Sequence, residues 1–326
     1  MAIFLSIVIL VAGFILLTKG ASWLIDGSSS FARKLGVSTI IVGLTIVAFG
    51  TSLPEFIVSI FAAIQGNFDI SVSNIVGSNI VNIGLIIGLS AVIAPFAIKE
   101  RTLIYEFPFL IVSALFLIIL SNDNNIFNKN TFSLGRIDGI IFLLILVVFI
   151  FYVVSQYRNR EPLFVEKEFE ARFKKRKKTW QDLALMTIGS ISLFIGGRLI
   201  VLSAVDIATF LGVSQRFIGL TIVAIGTSLP ELSTNVMAIL KKQADIAVGN
   251  IVGSNILNIL FVGGLVSLVK PLTVNPQLVY FDMIIMLVFS IVFLLFATTG
   301  KKITRLEGAT LLAGYIAYFY YITILR

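Results

Sequence analysis

Long apolar runs alternate with short polar segments along this chain, and about ten of the runs are long enough to cross the ~30 Å hydrocarbon core of a bilayer. The runs lie near residues 2–20, 38–64, 71–94, 103–120, 137–155, 181–202, 214–240, 246–268, 278–296 and 307–324. No basic residue precedes the first run, unlike a cleaved signal peptide, so it is interpreted as the first span. The pattern predicts an all-α polytopic membrane protein with about ten transmembrane helices.

Composition supports this prediction and removes several kinds of chemistry. The 326 residues are 58% hydrophobic, 13% charged and have a mean hydropathy of +1.03, which excludes an ordinary soluble protein. There is no cysteine and no histidine, so disulfides and the preferred ligands of soft metals are absent from the sequence. The net charge of +8 is explained by basic residues between spans, and it does not indicate nucleic-acid binding.

One long polar segment, residues 157–180, separates the fifth and sixth spans. Lysine and arginine favour the cytoplasmic side, so this linker is predicted to be cytoplasmic, and ten spans then place both termini outside. Basic residues at the other span ends agree with this orientation. The prediction is therefore an integral membrane protein with a cytoplasmic linker.

The chain also contains an internal repeat. The string GLTIVAFGTSLPE (Gly43–Glu55) returns as GLTIVAIGTSLPE (Gly219–Glu231), and each copy is followed by NIVGSNI, at Asn74–Ile80 and Asn250–Ile256. The spacing between the two copies is the same for both strings, and 28 of 48 positions are identical when 36–83 is aligned with 212–259. Two related polar strings therefore lie inside an otherwise apolar chain.

Five spans separate equivalent positions, and an odd number means that the second copy crosses the membrane in the opposite sense. The predicted organisation is an N-terminal five-helix repeat (1–156, with its polar strings within about 36–84) and an inverted C-terminal five-helix repeat (181–326, with its strings within about 212–260). Inverted repeats are typical of secondary transporters, which bind their ions near mid-membrane between the repeats.

The strings carry Glu55 and Glu231, the two acidic residues, of 17, that fall in the middle of predicted spans. Other acidic residues, for example Glu106, Asp182 and Asp282, fall near predicted span ends. A carboxylate at mid-membrane is unfavourable by at least ~2.5 kcal/mol, and it persists where it is paired, protonated or bound to a cation. No basic residue of the strings could pair with it, so a cation is the predicted partner.

The neighbouring residues offer further oxygen ligands. Pro54 and Pro230 are predicted to break their helices and to free backbone carbonyls, and Gly77 and Gly253 to permit close helix approach. The freed carbonyls are expected at Ala48, Phe49, Gly50, Ala224, Ile225 and Gly226. The hydroxyl and amide candidates are Thr51, Ser52, Thr227, Ser228, Ser78, Ser254, Asn82 and Asn258.

An all-oxygen ligand set indicates a hard cation such as Ca²⁺ or Na⁺. Two carboxylates neutralise one Ca²⁺, and they could instead host two or three Na⁺ or two protons. The same pair binding one or the other is the simplest basis for exchange.

The doubled G-T-S-L-P-E and G-S-N strings resemble the α-repeats of the cation/calcium exchanger superfamily, and most of all its prokaryotic sodium/calcium exchangers. This resemblance implies Ca²⁺ extrusion driven by Na⁺ entry, with alternating access by sliding of spans one and six past a core bundle. It assigns Glu55 and Glu231 as central Ca²⁺ ligands. The hydroxyl ligands would be Thr51, Ser52, Ser78, Thr227, Ser228 and Ser254, the carbonyl donors Ala48 and Ala224, and the remaining polar pair Asn82 and Asn258.

Asn258 departs from the family pattern, because several members carry Asp at this position. In potassium-dependent relatives an Asp in this string is associated with K⁺ coupling, so Asn258, which cannot ionise, argues against K⁺. The driving ion stays open between Na⁺ and H⁺. The alternative is therefore a Ca²⁺/H⁺ or other divalent cation/H⁺ antiporter, although proton-coupled relatives tend to carry a GN-x-x-E motif in place of GTSLPE. The alternative from a different class of protein function is a cation channel or a non-transporting membrane scaffold.

The sequence also bounds the partners and the chemistry. No nucleophile–base pair or phosphate loop indicates an enzyme. The expected partners are Ca²⁺, Na⁺ and the bilayer, with no cofactor and no nucleic acid, and the functional unit is expected to be a monomer.

Overall fold

A computed structural model describes residues 2–122, 132–158, 178–212 and 224–325. Within these residues, seven helices are long and apolar enough to cross a membrane, and a bent pair of helices provides an eighth crossing. The prediction of a helical polytopic membrane protein is confirmed. Of the other predicted spans, 214–240 is described only from residue 224, and most of the predicted linker, residues 159–177, lies outside the described residues.

The helices reproduce the predicted spans closely, with a few changes at their ends. They are α1 (Ala2–Lys34), α2 (Thr39–Thr51), α3 (Leu53–Ile64), α4 (Phe68–Ile93), α5 (Glu100–Leu120), α6 (Arg136–Arg158), α7 (Thr179–Phe210), α8 (Ala224–Gly226), α9 (Leu229–Leu240), α10 (Ala244–Val269), α11 (Leu278–Thr298) and α12 (Arg305–Tyr320). Several contain π-helical turns, at Gly43–Val47, Val81–Ile87, Asn258–Gly263 and Leu278–Asp282, and Tyr321–Leu325 continues α12.

The internal repeat is visible in the element boundaries. α3 and α9 each have 12 residues, and they begin at Leu53 and Leu229, which are the same leucine of the two GTSLPE strings. α4 and α10 each have 26 residues, and their first residues, Phe68 and Ala244, are aligned in the repeat. Equivalent sequence has therefore formed equivalent helices in the two halves.

Among the described residues there are four strands of two residues each, which were not predicted. β1 (Phe96–Ala97) pairs antiparallel with β4 (Lys302–Ile303), and β2 (Ser133–Leu134) pairs antiparallel with β3 (Leu272–Thr273). Each ladder joins loops that are distant in sequence, so a pattern of local hydropathy carries no signal for it.

The chain divides into two compact units that do not coincide with its sequence halves. Unit 1 consists of Met1–Thr51 and Tyr152–Asn250, and unit 2 consists of Ser52–Phe151 and Ile251–Arg326. Each unit combines segments from both halves, and α10 begins in unit 1 and continues in unit 2. The division into five-helix repeats by sequence remains a prediction.

Unit 1 is built on the pairing of α1 with α7. These helices have 33 and 32 residues, so each is about 50 Å long and both exceed the predicted spans 2–20 and 181–202. A side-chain carbon added to Gly20 would lie 2.8 Å from the Gly189 carbonyl oxygen, and one added to Gly196 would lie 2.7 Å from the Leu17 nitrogen. The glycines therefore allow backbone contact between the helices. α1 and α7 continue through polar residues beyond the predicted spans because they pack against each other. The hydropathy of a sequence does not reveal such packing.

In unit 2, α4 lies among α3, α11 and α12. A side-chain carbon on Gly84 would lie 2.8 Å from Tyr315 and 2.9 Å from Phe289, so this glycine makes room for two large side chains. The Phe107 and Phe293 rings join α5 to α11 at a centroid distance of 4.9 Å. Buried aromatic and small residues thus hold the π-helical part of α4 in a tightly packed environment.

Candidate ion-binding site

Both repeats break their helix at the serine of the GTSLPE string. Ser52 precedes α3 with φ −83° and ψ 2°, and Ser228 precedes α9 with φ −87° and ψ 6°. Pro54 and Pro230 are the second residues of these helices, where a missing amide hydrogen does not interrupt helical hydrogen bonding. α2 and α3 are bent by 44° at the break, so the predicted interruption is confirmed.

Each glutamate of the strings lies in the first turn of the helix that follows the break. Glu55, at the start of α3 in unit 2, is 1% exposed, and Glu231, at the start of α9 in unit 1, is 0% exposed. The amide groups at a helix N-terminus carry a partial positive charge, which stabilises a carboxylate at that position. The two glutamates therefore occupy equivalent positions at the start of their helices.

Burial alone does not single out these two glutamates. Glu106, Asp182 and Asp282, which fall near predicted span ends, are also buried. Asp182 forms an ion pair with Lys34, with 2.5 Å between Oδ2 and Nζ, and Asp282 accepts a hydrogen bond of 2.9 Å from the Tyr318 hydroxyl. Tertiary contacts that no local pattern reveals bring these acidic residues inside.

Unit 1 contains Ala48, Thr51, Ala224, Thr227, Ser228 and Glu231 of the predicted site. The end of α2 contacts α9, so Ala48 and Thr51 lie on a helix beside the one that begins after Ser228 and carries Glu231. Thr51 Oγ1 donates to the Ala48 carbonyl at 3.3 Å and to Asn250 Oδ1 at 3.1 Å. Ala224 is the first residue of α8, before the break. The Ala48 carbonyl, which was predicted to be freed, therefore accepts a hydrogen bond from a threonine three residues further along the chain.

Unit 2 contains Ser52, Glu55, Ser78, Asn82, Ser254 and Asn258, and all six are buried. α3 packs against α4 and against the π-helical turn of α10 that begins at Asn258. Glu55 is therefore on a helix that touches both helices carrying the second string. Asn82 lies in the π-helical turn of α4 and Asn258 begins that of α10, and such turns are frequent at functional sites.

Among the described residues, no group of three or more acidic side chains comes together.

The structure adds asparagines that sequence reasoning missed. Asn74 Nδ2 donates to the Glu55 carbonyl at 3.1 Å and to Ser59 Oγ at 2.9 Å, which fixes the start of α3 on α4. Its equivalent, Asn250, accepts from Thr51 in unit 1. Both residues open the repeated NIVGSNI string, so the repetition itself was the signal that could have identified them.

Two expectations about backbone detail are wrong. Nothing described lies within 4 Å of a side-chain carbon added to Gly77, so this glycine leaves open space beside Ser78 and does not support a close helix contact. The Ile225 carbonyl accepts a hydrogen bond of 3.1 Å from the Ser228 amide and is not free. Gly50 also has a packing role, because an added carbon would lie 2.8 Å from Ser190 Oγ.

Comparison with known proteins agrees with this geometry. The family model described as "Sodium/calcium exchanger protein" matches residues 5–155 and 182–324. The "Putative antiporter CaxA" of Alkalimonas amylolytica is 39% identical over 96% of this chain and 97% of its own length. The "Sodium/calcium exchanger MaX1" of Methanosarcina acetivorans is 31% identical over 96% of this chain and 97% of its own length.

A solved structure of the sodium-calcium exchanger NCX_Mj superposes with a TM-score of 0.82 at 31% identity, covering 99% of this chain and 100% of the other. The fold and the doubled polar strings define a membrane transporter of the exchanger class. The chain belongs to the sodium/calcium exchanger protein family, and the predicted resemblance is confirmed.

Proposed function

We propose that this protein is a secondary active antiporter that exchanges Na⁺ for Ca²⁺ by alternating access. The observation that carries the proposal is the pair of buried glutamates, Glu55 and Glu231, each in the first turn of a helix after an equivalent break. A transporter of monovalent against divalent cations needs carboxylates that can serve either ion, and hard cations prefer oxygen ligands.

In this proposal Glu55 and Glu231 supply the charge, and neutral oxygens complete the ligand set. The hydroxyl groups are those of Thr51, Ser52, Ser78, Thr227, Ser228 and Ser254, the carbonyls are those of Ala48 and Ala224, and the amides are those of Asn82 and Asn258. Two carboxylates neutralise one Ca²⁺ and also suit more than one Na⁺. This double use couples the two fluxes, because both ions compete for the same charges.

The proposed orientation places the linker 157–180 in the cytoplasm and both termini outside. It rests on the distribution of lysine and arginine. The proposed functional unit is the monomer, since one chain carries both repeats.

Transport in proteoliposomes tests the function. Vesicles loaded with Na⁺ should take up radiolabelled Ca²⁺ when external Na⁺ is removed, and the uptake should stop when the Na⁺ gradient is abolished. Imposing Na⁺, K⁺ and H⁺ gradients one at a time identifies the driving ion. Uptake that follows only the pH gradient would replace the proposal with Ca²⁺/H⁺ exchange, and single-channel currents would replace it with a channel.

A further inference from the structure

Four buried asparagines of the repeated segments lie in unit 2, and hydrogen bonds join three of them. The four are Asn79 and Asn82 on α4, and Asn255 and Asn258 on α10. Asn79 and Asn255 are the second asparagines of the two NIVGSNI strings, and Asn82 and Asn258 are the next asparagines along the chain, so the four form two equivalent pairs. Each is at most 1% exposed, so every polar atom among them needs a partner within the protein or a bound species.

The two repeats use these equivalent amides differently. Asn82 Nδ2 donates a hydrogen bond of 2.9 Å to Asn255 Oδ1. The equivalent bond would run from Asn258 Nδ2 to Asn79 Oδ1, and neither atom has a hydrogen-bond partner among the described residues. One of two symmetry-related bonds is therefore made and the other is open.

Both amide atoms of Asn255 have hydrogen-bond partners. Its Nδ2 donates to the Asn79 carbonyl at 3.5 Å while its Oδ1 accepts from Asn82. The Asn82 amide nitrogen faces Asn255. The Oδ1 atom of Asn82 is therefore left buried without a hydrogen-bond donor among the described residues. A buried amide oxygen without a donor is unfavourable, and a bound cation is a partner that relieves this state.

We propose that Asn255 is a positioning residue, which turns the carbonyl oxygen of the other repeat's ion-binding asparagine, Asn82, toward the ion. Its equivalent, Asn79, makes no such bond, because its Nδ2 donates to Met286 Sδ at 3.5 Å and its Oδ1 has no hydrogen-bond partner among the described residues. The inference rests on the proposed antiport function and adds a residue that acts on the site through one of its ligands.

The test uses apolar variants of similar size, Asn255→Leu and Asn79→Leu, in the full chain. The half-saturating Na⁺ concentration of Na⁺-dependent Ca²⁺ exchange is measured for each variant in proteoliposomes. Asn255→Leu should raise this concentration about three- to tenfold, since the neutral hydrogen bond that orients Asn82 is lost. Asn79→Leu is the matched control and should change it little, because the Asn79 side chain makes no bond to Asn258. Equal effects of the two variants, or no effect of Asn255→Leu, would overturn the proposal.

Two further variants separate positioning from a general structural role. Asn255→Asp keeps the acceptor for Asn82 Nδ2, so it should retain Na⁺ affinity at least equal to the unmodified protein. In the background of Asn82→Leu, the change Asn255→Leu should have no additional effect, because Asn255 acts through Asn82. An Asn255→Asp variant as weak as Asn255→Leu, or full additivity with Asn82→Leu, contradicts the inference. Absence of any exchange in the unmodified protein would instead refute the proposed function.

Discussion

Buried carboxylates of this chain differ in how their charge is accommodated. Asp182 is paired with Lys34, and Asp282 accepts a hydrogen bond from Tyr318. Glu55 instead lies at a helix N-terminus, on a helix packed against those that carry the buried serine and asparagine side chains of the second string. The amide groups of the helix N-terminus stabilise a carboxylate charge at this position. Glu231 likewise lies in the first turn of its helix, in unit 1.

Replacing Glu55 or Glu231 by glutamine should therefore reduce Ca²⁺ exchange at least about a hundredfold, because the remaining single charge leaves a divalent ion under-neutralised. The measurement is the initial rate of Na⁺-dependent Ca²⁺ uptake per reconstituted protein. Glu106→Gln is the matched control, since Glu106 is equally buried but lies outside both strings, and it should keep exchange. Full activity in either string variant contradicts the site assignment.

At the scale of elements, α1 and α7 form one pair joined by glycine contacts along its length and by an ion pair at one end. Lys34 Nζ lies 2.5 Å from Asp182 Oδ2 and also donates to the Lys178 carbonyl at 3.2 Å. Asp182 is fully buried while Lys34 is partly exposed. The lysine therefore neutralises a charge that the helix pair has removed from solvent.

Lys34→Met should lower the free energy of unfolding by up to about 3 kcal/mol, because it leaves a buried carboxylate without its cation. The double variant Lys34→Met/Asp182→Leu should recover most of this loss, since an apolar pair needs no compensation. Thermal unfolding in detergent measures both effects. A double variant that is less stable than Lys34→Met alone would show that Lys34 does not stabilise the fold through this ion pair.

The turn after α9 contains a second element-scale feature. Lys242 has φ +58°, a left-handed conformation that is unfavourable for a residue with a side chain, and its equivalent in the first repeat is Gly66 with φ +83°. Lys242→Gly should thus raise the free energy of unfolding by up to about 1 kcal/mol. The reciprocal change Gly66→Lys should lower it by a similar amount. The measurement compares the unfolding midpoint of each variant with that of the unmodified protein. A destabilised Lys242→Gly variant would refute the argument that Lys242 is strained.

At the scale of the whole molecule, two copies of one sequence pattern contribute to compact units that each combine both halves. Thr51 and Ser52 are adjacent in sequence, yet they belong to different units, so the boundary between units passes through the GTSLPE string itself. The helix break thus coincides with the point at which the chain passes from one unit to the other.

The absence of cysteine from the sequence makes the orientation directly measurable. Gln277 is exposed immediately before α11, and the variant Gln277→Cys should react with a membrane-impermeant maleimide added to intact cells. Lys302 is exposed in β4, and Lys302→Cys should react only after the membrane is opened. The reverse pattern would invert the proposed topology while leaving the repeat unaffected.

The amino-acid sequence by itself determined the membrane class, the evenly spaced repeat of both polar strings and the two glutamates, because hydropathy, identity between strings and the rarity of mid-span carboxylates are local properties. The interrupted helices followed from Pro54 and Pro230 for the same reason. Only the tertiary structure decided the extension of α1 and α7 and the pairing of Asp182 with Lys34. It also decided the unequal hydrogen bonds of equivalent asparagines. These features depend on which residues from distant segments meet, and two identical strings can differ in their bonds only when their three-dimensional surroundings differ.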